Sequence, residues 1–348
     1  MIGAIAEKEF RDNLTSKRFF VVFGFLLAVV VLSLILVKLD LYGMYMPGGD
    51  DEAPKVYHVL WGVNYLIGSV GGIFALALGF DAVTKEKENR TMNVLMGHPV
   101  FRDQVILGKI LGGAITLAVS VLITALIMTG LLLWIGVTID SYARMVMYFL
   151  VMYLYFMVFF TMGVAFSAHS SSSGSALMYA LVAFLILTTL TLPVAELVAY
   201  GVAGPRPQEP EELRAYYEEM ERIFSSENVT PEDMAKMEDI QKKMEVLQEE
   251  YSQKIEEWSK KYWKTIEYVQ IISPEYDFDQ VSEYVLNPEK GSEDWFVYYD
   301  RDFDEEEPPS YSLSESLSFV KKELGMMVAY LVLWTVIAYL GFVRAEIR

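Results

Sequence analysis

The 348-residue chain contains no cysteine and only three histidines. Without thiols there are no disulfides, no thiolate metal sites and no cysteine nucleophile. His58, His98 and His169 are too scattered to form a histidine-rich metal motif. Basic charge is scarce as well: 28 Lys and Arg stand against 46 Asp and Glu, for a formal net charge of −18. A nucleic-acid binder wants a basic patch, so that class is excluded. The signatures HExxH, G-x-S-x-G and G-x-x-x-x-G-K-[ST] are all missing. Gly108-Lys109 lacks the upstream glycine of a phosphate loop and the Ser or Thr that should follow. The chain is therefore expected to hydrolyse no ATP by itself.

Apolar residues, by contrast, make up 53% of the chain, and mean hydropathy is +0.30. Such grease and such acidity coexist only if they are segregated. Residues 201–322 hold 31 acids and 14 bases, whereas the other 226 residues carry a net charge of −1. The composition thus describes a neutral apolar body and an acidic insert.

Crossing a hydrocarbon core of ~30 Å takes about 20 apolar helical residues. Six uncharged runs meet that length: 19–37, 56–80, 110–139, 145–168, 176–195 and 324–343. The first is too long for a signal peptide, and Lys38-Leu39-Asp40-Leu41 follows it where a small-residue cleavage site would stand. The expected fold is an all-α polytopic membrane protein. Its parts are an amphipathic lead-in and five spans over 1–200, an acidic insert over 201–322, and a sixth span with a tail over 323–348.

An even number of spans puts both termini on one side. With the amino terminus inside, the short inner segments carry eleven Lys and Arg: Lys8, Arg11, Lys17, Arg18, Lys85, Lys87, Arg90, Arg102, Lys109, Arg344 and Arg348. The short outer segments carry three, Lys38, Lys55 and Arg144. The positive-inside rule then predicts a multi-pass protein of the cell membrane with both termini cytoplasmic and the insert outside.

The insert reads as a helical hairpin. Residues 210–225 place Leu213, Tyr217, Met220 and Phe224 at helical spacing. Thr230-Pro231-Glu232-Asp233 then opens a second helix with a cap, a proline at the first position and acids that suit the dipole. Its apolar stripe from Met234 to Tyr262 calls for a partner, and the nearest is the first helix. After Ser273-Pro274, a Tyr/Asp-rich segment leads back to the membrane. The acidic run 300–307 departs from a calcium loop, with Glu305 in place of glycine and Tyr311 in place of the closing Glu.

The segment after the second span is no mere connector. Charged residues Lys85-Glu86-Lys87-Glu88 precede Arg90-Thr91-Met92-Asn93-Val94-Leu95-Met96, then Gly97-His98-Pro99-Val100-Phe101-Arg102 and, further on, Gly108-Lys109. Glu86, Glu88, Thr91, Leu95, Pro99, Val100, Arg102, Gly108 and Lys109, with the six-span layout, resemble the permease subunits of ABC-2-type ABC transporters. Arg90 stands where that family usually has glycine. The resemblance implies two permease copies, or one copy and a paralogue, paired in the lipid with two cytoplasmic ATP-binding cassette subunits. ATP and magnesium would sit on those partners, with no cofactor on this chain and no nucleic acid involved. The transporter would be an exporter, and the loop at 81–104 its coupling element, with Glu86, Glu88, Arg90, Thr91, Met92, Leu95, Pro99 and Arg102 as contact residues.

For a substrate path the sequence offers Asn64, Thr188, Thr189 and Glu196. The threonines either face a cleft or bond back to their own helix carbonyls. Gly68, Gly72 and Gly79, with Gly108 and Gly112, form small-residue stripes for close helix packing, either within one subunit or at a dimer seam. A competing reading is a membrane-anchored receptor or scaffold that binds a ligand through the outer helical insert. The charge bias gives a direct test: a tag near Gly204 is expected to be reachable from outside intact cells, and tags at either terminus only after permeabilisation.

Overall fold

The computed structural model describes residues 2–39, 55–89, 101–225, 230–291 and 310–344, apart from the side chains of His58 and Trp61. The turn-forming Pro47-Gly48-Gly49, the loop centre at 90–100, the glycosylation pattern that opens at Asn228 and the acidic run at 300–307 lie outside the described residues. In chain order the helices are α1 (Ile2–Thr15), α2 (Lys17–Lys38), α3 (Val56–Gly79), α4 (Thr84–Glu88), α5 (Arg102–Ile135), α6 (Tyr142–His169) and α7 (Ser173–Thr188). They continue as α8 (Thr191–Ala203), α9 (Glu211–Phe224), α10 (Pro231–Gln270), α11 (Pro274–Leu286), α12 (Leu313–Phe319) and α13 (Lys321–Arg344). Among the described residues there is no strand, only an isolated bridge between Lys55 and Thr138. Contacts divide the chain into two units, Met1–Thr189 with Ile271–Arg348, and Leu190–Gln270.

Among the described residues, six helical segments are long and apolar enough to cross a membrane: Lys17–Lys38, Gly62–Glu88, Arg102–Ile135, Tyr142–His169, Ser173–Ala203 and Lys321–Arg344. They contain or overlap the six apolar runs of the sequence. The third begins at Arg102, two turns before the uncharged stretch, because the charge inside it, Lys109, is paired. It stops at Gly136, whose φ of 96° lets its N–H turn back to the carbonyls of Leu132 and Leu133. The fifth is interrupted between Thr188 and Thr191. Pro193 has no amide to donate to the Thr189 carbonyl, so the helical ladder cannot run through.

In the first unit α6 is the central post. It packs against α3, α5, α7, α11 and α13, and 72% of its apolar window is buried, against 28% for α2. Tyr148, Tyr155, Phe156, Phe159 and Phe160 fill the middle of the bundle. Polar residues inside the helices bond at home: Thr116, Ser120 and Thr124 each donate to the carbonyl four residues back at 2.9 Å. Phe20, Val21 and Phe25 of α2 and Leu126 of α5 are 60–70% exposed, a belt that suits a hydrocarbon phase.

In the second unit α10 runs 40 residues, about 60 Å at 1.5 Å per residue. Trp258 Nε1 donates to the Gly204 carbonyl at 2.9 Å, Tyr251 reaches the Pro207 carbonyl, and Lys236 pairs with Glu219. Rising numbers on one side meet falling numbers on the other, so α10 lies antiparallel to the α8–α9 stretch. Its apolar stripe was expected to pack on 210–225, yet its main partner is α8. Ala195 and Ala199 present a small-residue face on which Ile266, Tyr262 and Val269 close.

The acidic insert expected over 201–322 does not end where its charge does. From Ile271 the chain belongs to the first unit. The segment after Ser273 is a helix, α11, with Ser273 as cap and Pro274 in the first turn. It is buried among α3, α6, α7, α12 and α13. Phe278, Val281 and Val285 are fully enclosed, and Phe278 stacks on Tyr155 at 4.6 Å. The apolar face at 278, 281 and 285 overrides the acids between. Arg144 of α6 holds the far end, donating to the carbonyls of Val285 at 2.8 Å and Tyr311 at 2.5 Å.

The small-residue stripes serve contacts within this chain. A Cβ on Gly79 would lie 2.3 Å from the Phe160 carbonyl, and one on Gly163 would lie 2.9 Å from the Leu76 carbonyl. Here α3 and α6 touch backbone to backbone. Gly72 faces Phe184 and Tyr155, Gly68 faces Glu275, and Gly108 and Gly112 face Ile5 and Glu9 of α1. Gly79→Ala is expected to force α3 from α6 and cost roughly 1–3 kcal/mol. Gly130→Ala, with nothing within 4 Å, should be neutral or stabilising. Thermal unfolding of the detergent-solubilised full chain measures both.

Candidate functional site

The stretch 81–89 lies at the end of the first unit that carries α1. Lys109, one residue past Gly108, is only 3% exposed. Its ammonium lies 2.8 Å from Glu9 of α1 and 2.7 Å from Glu86 of α4. A buried cation is stable only when paired and hydrogen-bonded. Two carboxylates meet that demand, and Lys8, 3.7 Å from each, balances the second negative charge. Gly108 and Gly112 make the arrangement possible, because side chains there would hold α1 away from α5.

Apart from the exposed Lys85, the other charges of the stretch are also tied to helix ends. Asp81 pairs with Arg18 at the start of α2, whose guanidinium lies 5.0 Å from the centre of the Phe80 ring. The amides of Val83 and Thr84 donate to Ser167 Oγ at 2.9 and 3.1 Å. Lys87 donates to the carbonyls of Ala168 and Ser170, capping the last turn of α6. Glu88 accepts from the Ser173 amide at 2.7 Å and its hydroxyl at 2.8 Å, capping the first turn of α7. Arg102, at the start of α5, donates to the Val343 carbonyl near the end of α13. One short stretch thus grips α1, α2, α5, α6 and α7.

Glu86 and Glu88, expected to reach a partner protein, are engaged inside the chain. Arg90, Thr91, Met92, Leu95 and Pro99 lie outside the described residues. Of the path residues, Asn64 is 6% exposed; it donates to Asp279 Oδ1 of α11 at 2.6 Å and accepts from the Tyr148 hydroxyl at 3.1 Å. Burial, with the Glu275 and Glu283 carboxylates nearby, pushes Asp279 up to about 7, partly opposed by the Asn64 hydrogen bond. Thr188 bonds back to the Phe184 carbonyl at 2.9 Å, Thr189 caps α7, and Glu196 is exposed on α8. Only Asn64 enters a polar cluster. His169 bonds its own Ala165 carbonyl.

The sequence reading missed Ser167, Ser173 and the α11 acids. Within the Ser-rich run 170–175, Ser172 and Ser175 form a capping box that starts α7. For α11 the signal was present: a Ser-Pro start followed by Phe278, Val281 and Val285 at helical spacing.

Long apolar helices, tied at one end by a short charged stretch, define a polytopic membrane protein with a junction built to hold its helices in register. Residues 3–347 match the family described as ABC-2 family transporter protein, and the chain belongs to that family. It is similar to a "Probable ABC transporter permease protein NosY" of Pseudomonas aeruginosa, 31% identical over 126 residues, which cover 35% of this chain and 42% of the relative. A protein of the same description from Stutzerimonas stutzeri is 41% identical over 51 residues, 15% of this chain and 18% of the relative. The chain thus spans less than half the length of these curated relatives.

Removing the Lys109 ammonium leaves two carboxylates facing each other with one exposed lysine. Lys109→Met is therefore expected to cost about 3–5 kcal/mol. Adding Glu86→Gln should recover part of that loss, since it removes one stranded charge. Thermal unfolding of the single and double variants provides the measurement.

Proposed function

We propose that this chain is the permease subunit of an ATP-driven exporter, powered by a separate cytoplasmic ATP-binding subunit. The observation that carries the reading is the family match over residues 3–347. The sequence has no phosphate-binding loop, so the energy for transport comes from a partner. Two copies, or this chain and a paralogue, form the membrane part, and the partners hold ATP and magnesium. The excess of Lys and Arg supports cytoplasmic termini. In that orientation the acidic insert, helical over Glu211–Phe224 and Pro231–Gln270, lies outside.

The loop at 81–104 is the docking and coupling element in this reading. The bonds from 81–89 to α1, α2, α5, α6 and α7 support it, because a push on that stretch reaches all five helices. Glu86 and Glu88 serve those internal bonds, so docking falls to side chains that remain outward. Lys85 is one of them, exposed on α4. A charge pair across a docking interface is worth roughly 2 kcal/mol at the low end, about thirtyfold in affinity. Lys85→Glu is expected to reduce co-purification with the ATP-binding subunit and its transport-linked ATPase activity in liposomes by about that factor. The melting temperature of the permease alone should stay unchanged. Parent-like assembly and ATPase activity would move docking away from this side chain.

A further inference from the structure

Helix α11 carries Glu275, Asp277 and Asp279 into the first unit, and α13 brings Glu323 close to Asp277. Asp277 is fully buried and neither of its carboxyl oxygens has a hydrogen-bond partner. Glu323 is 6% exposed and Glu275 9%, each with one buried oxygen that also lacks a partner. Among the described residues none of these four acids has a Lys, Arg or His within 4 Å. The groups around them are neutral or acidic, save the exposed Lys321 and Lys322 beside Glu323 on α13; Glu315 of α12 serves the cap of its own helix. On α3 they are Asn64, Ser69 and the backbone at Gly68; on α6, Tyr148 and Tyr155. On α13 Tyr330 lies near Asp277, and α7 has no charged residue. Arg144 spends its guanidinium on the Tyr284, Val285 and Tyr311 carbonyls and the Ser316 hydroxyl. Glu283, further along α11, has Lys290 at 2.6 Å.

Buried carboxylates without cations must be neutralised. The packing selects the neutralising species. Tyr148, Tyr155 and Phe278 are fully buried around α11, and Glu275 Oε1 is 3.2 Å from where a Cβ on Gly68 would lie. Among the described residues no three acidic, His or Cys side chains are disposed to hold a metal ion. A proton needs no cavity. We propose that Asp277, with Glu275 and Asp279, forms a proton-binding site that seats α11 in the membrane unit, and that losing those protons unseats the helix.

The sign follows from burial. It pushes Asp277 up to about 9, reinforced by Glu323, and Glu275 up to about 7, against the pull of the Ser69 hydroxyl. A carboxyl raised in the seated state favours seating fully below its ordinary pKa near 4. That contribution is lost as pH climbs to the raised value. Between about pH 7 and 9 Asp277 dominates, and the opening constant rises about tenfold per pH unit for each proton released.

The absence of cysteine allows a clean reporter. Ser282→Cys in full-length protein in membranes places one thiol on α11 at a position 1% exposed. Ser314→Cys, exposed on the neighbouring α12, supplies the reference for thiol ionisation. The labelling rate with a water-soluble maleimide, taken as the ratio of the two positions, is expected to rise several-fold to tenfold per unit from pH 7 to 8.5. Asp277→Asn, which cannot ionise, should flatten that rise, and Glu323→Gln, which removes the carboxylate that reinforces Asp277, should end it at a lower pH. A ratio that stays level with pH would overturn the proposal, as would an equal slope in the parent and in whichever of the two variants folds.

Discussion

Lys109 is a full positive charge at the start of a long apolar helix, almost wholly removed from water. Nothing in its own helix can pay the desolvation cost, so α1 and α4 must each deliver a carboxylate to it. That one requirement fixes how the amino-terminal helix lies on α5, why glycines occur at 108 and 112, and why the charged turn after α3 folds inward. Much of the rest of this end follows. With Glu86 drawn in, Lys87 and Glu88 fall beside the ends of α6 and α7, where each meets the helix dipole of the sign that suits it.

Much of the fold was legible because membrane helices announce themselves by length and lack of charge. The six apolar runs correspond to the six long helical segments, and Thr230-Pro231 marks the start of α10. What misled was charge used as a marker of exposure. Residues 271–286 share the acidity of the insert, yet Phe278, Val281 and Val285 carry them into the bundle. The α10 stripe was visible, but its partner was not, since the alanine face at 195 and 199 sits at and just beyond the end of what read as a membrane span.

At the candidate site the residue types were legible and the pairing was not. Glu86 and Glu88 stand out as charges in a loop, and a sequence offers no way to tell an internal partner from an external one. Lys109 was visible as one inner basic residue and the end of a Gly-Lys motif, and Ser167 and Ser173 as two serines among many. Their roles depend on helix ends separated by about 80 residues or more meeting in space.

The two polar regions of the first unit lie toward opposite ends of α6. Tyr148, which holds Asn64 against α11, and Ser167, which caps α4, are 19 residues apart on one helix, about 28 Å at 1.5 Å per residue. That is close to the thickness of a hydrocarbon core. Between them, α3 and α6 touch backbone to backbone at Gly79 and Gly163, so the two helices cannot slide past each other without breaking main-chain contact. A rigid pair of this kind moves as one body. Under the proposed function, a displacement imposed on α4 is carried along α3 and α6 to the helices that pack on α11, and unseating α11 is the response the proton site would gate. The carboxyl protons then set how much work that motion takes. The acids of α11, costly for stability where they are, make sense as parts that must be able to leave.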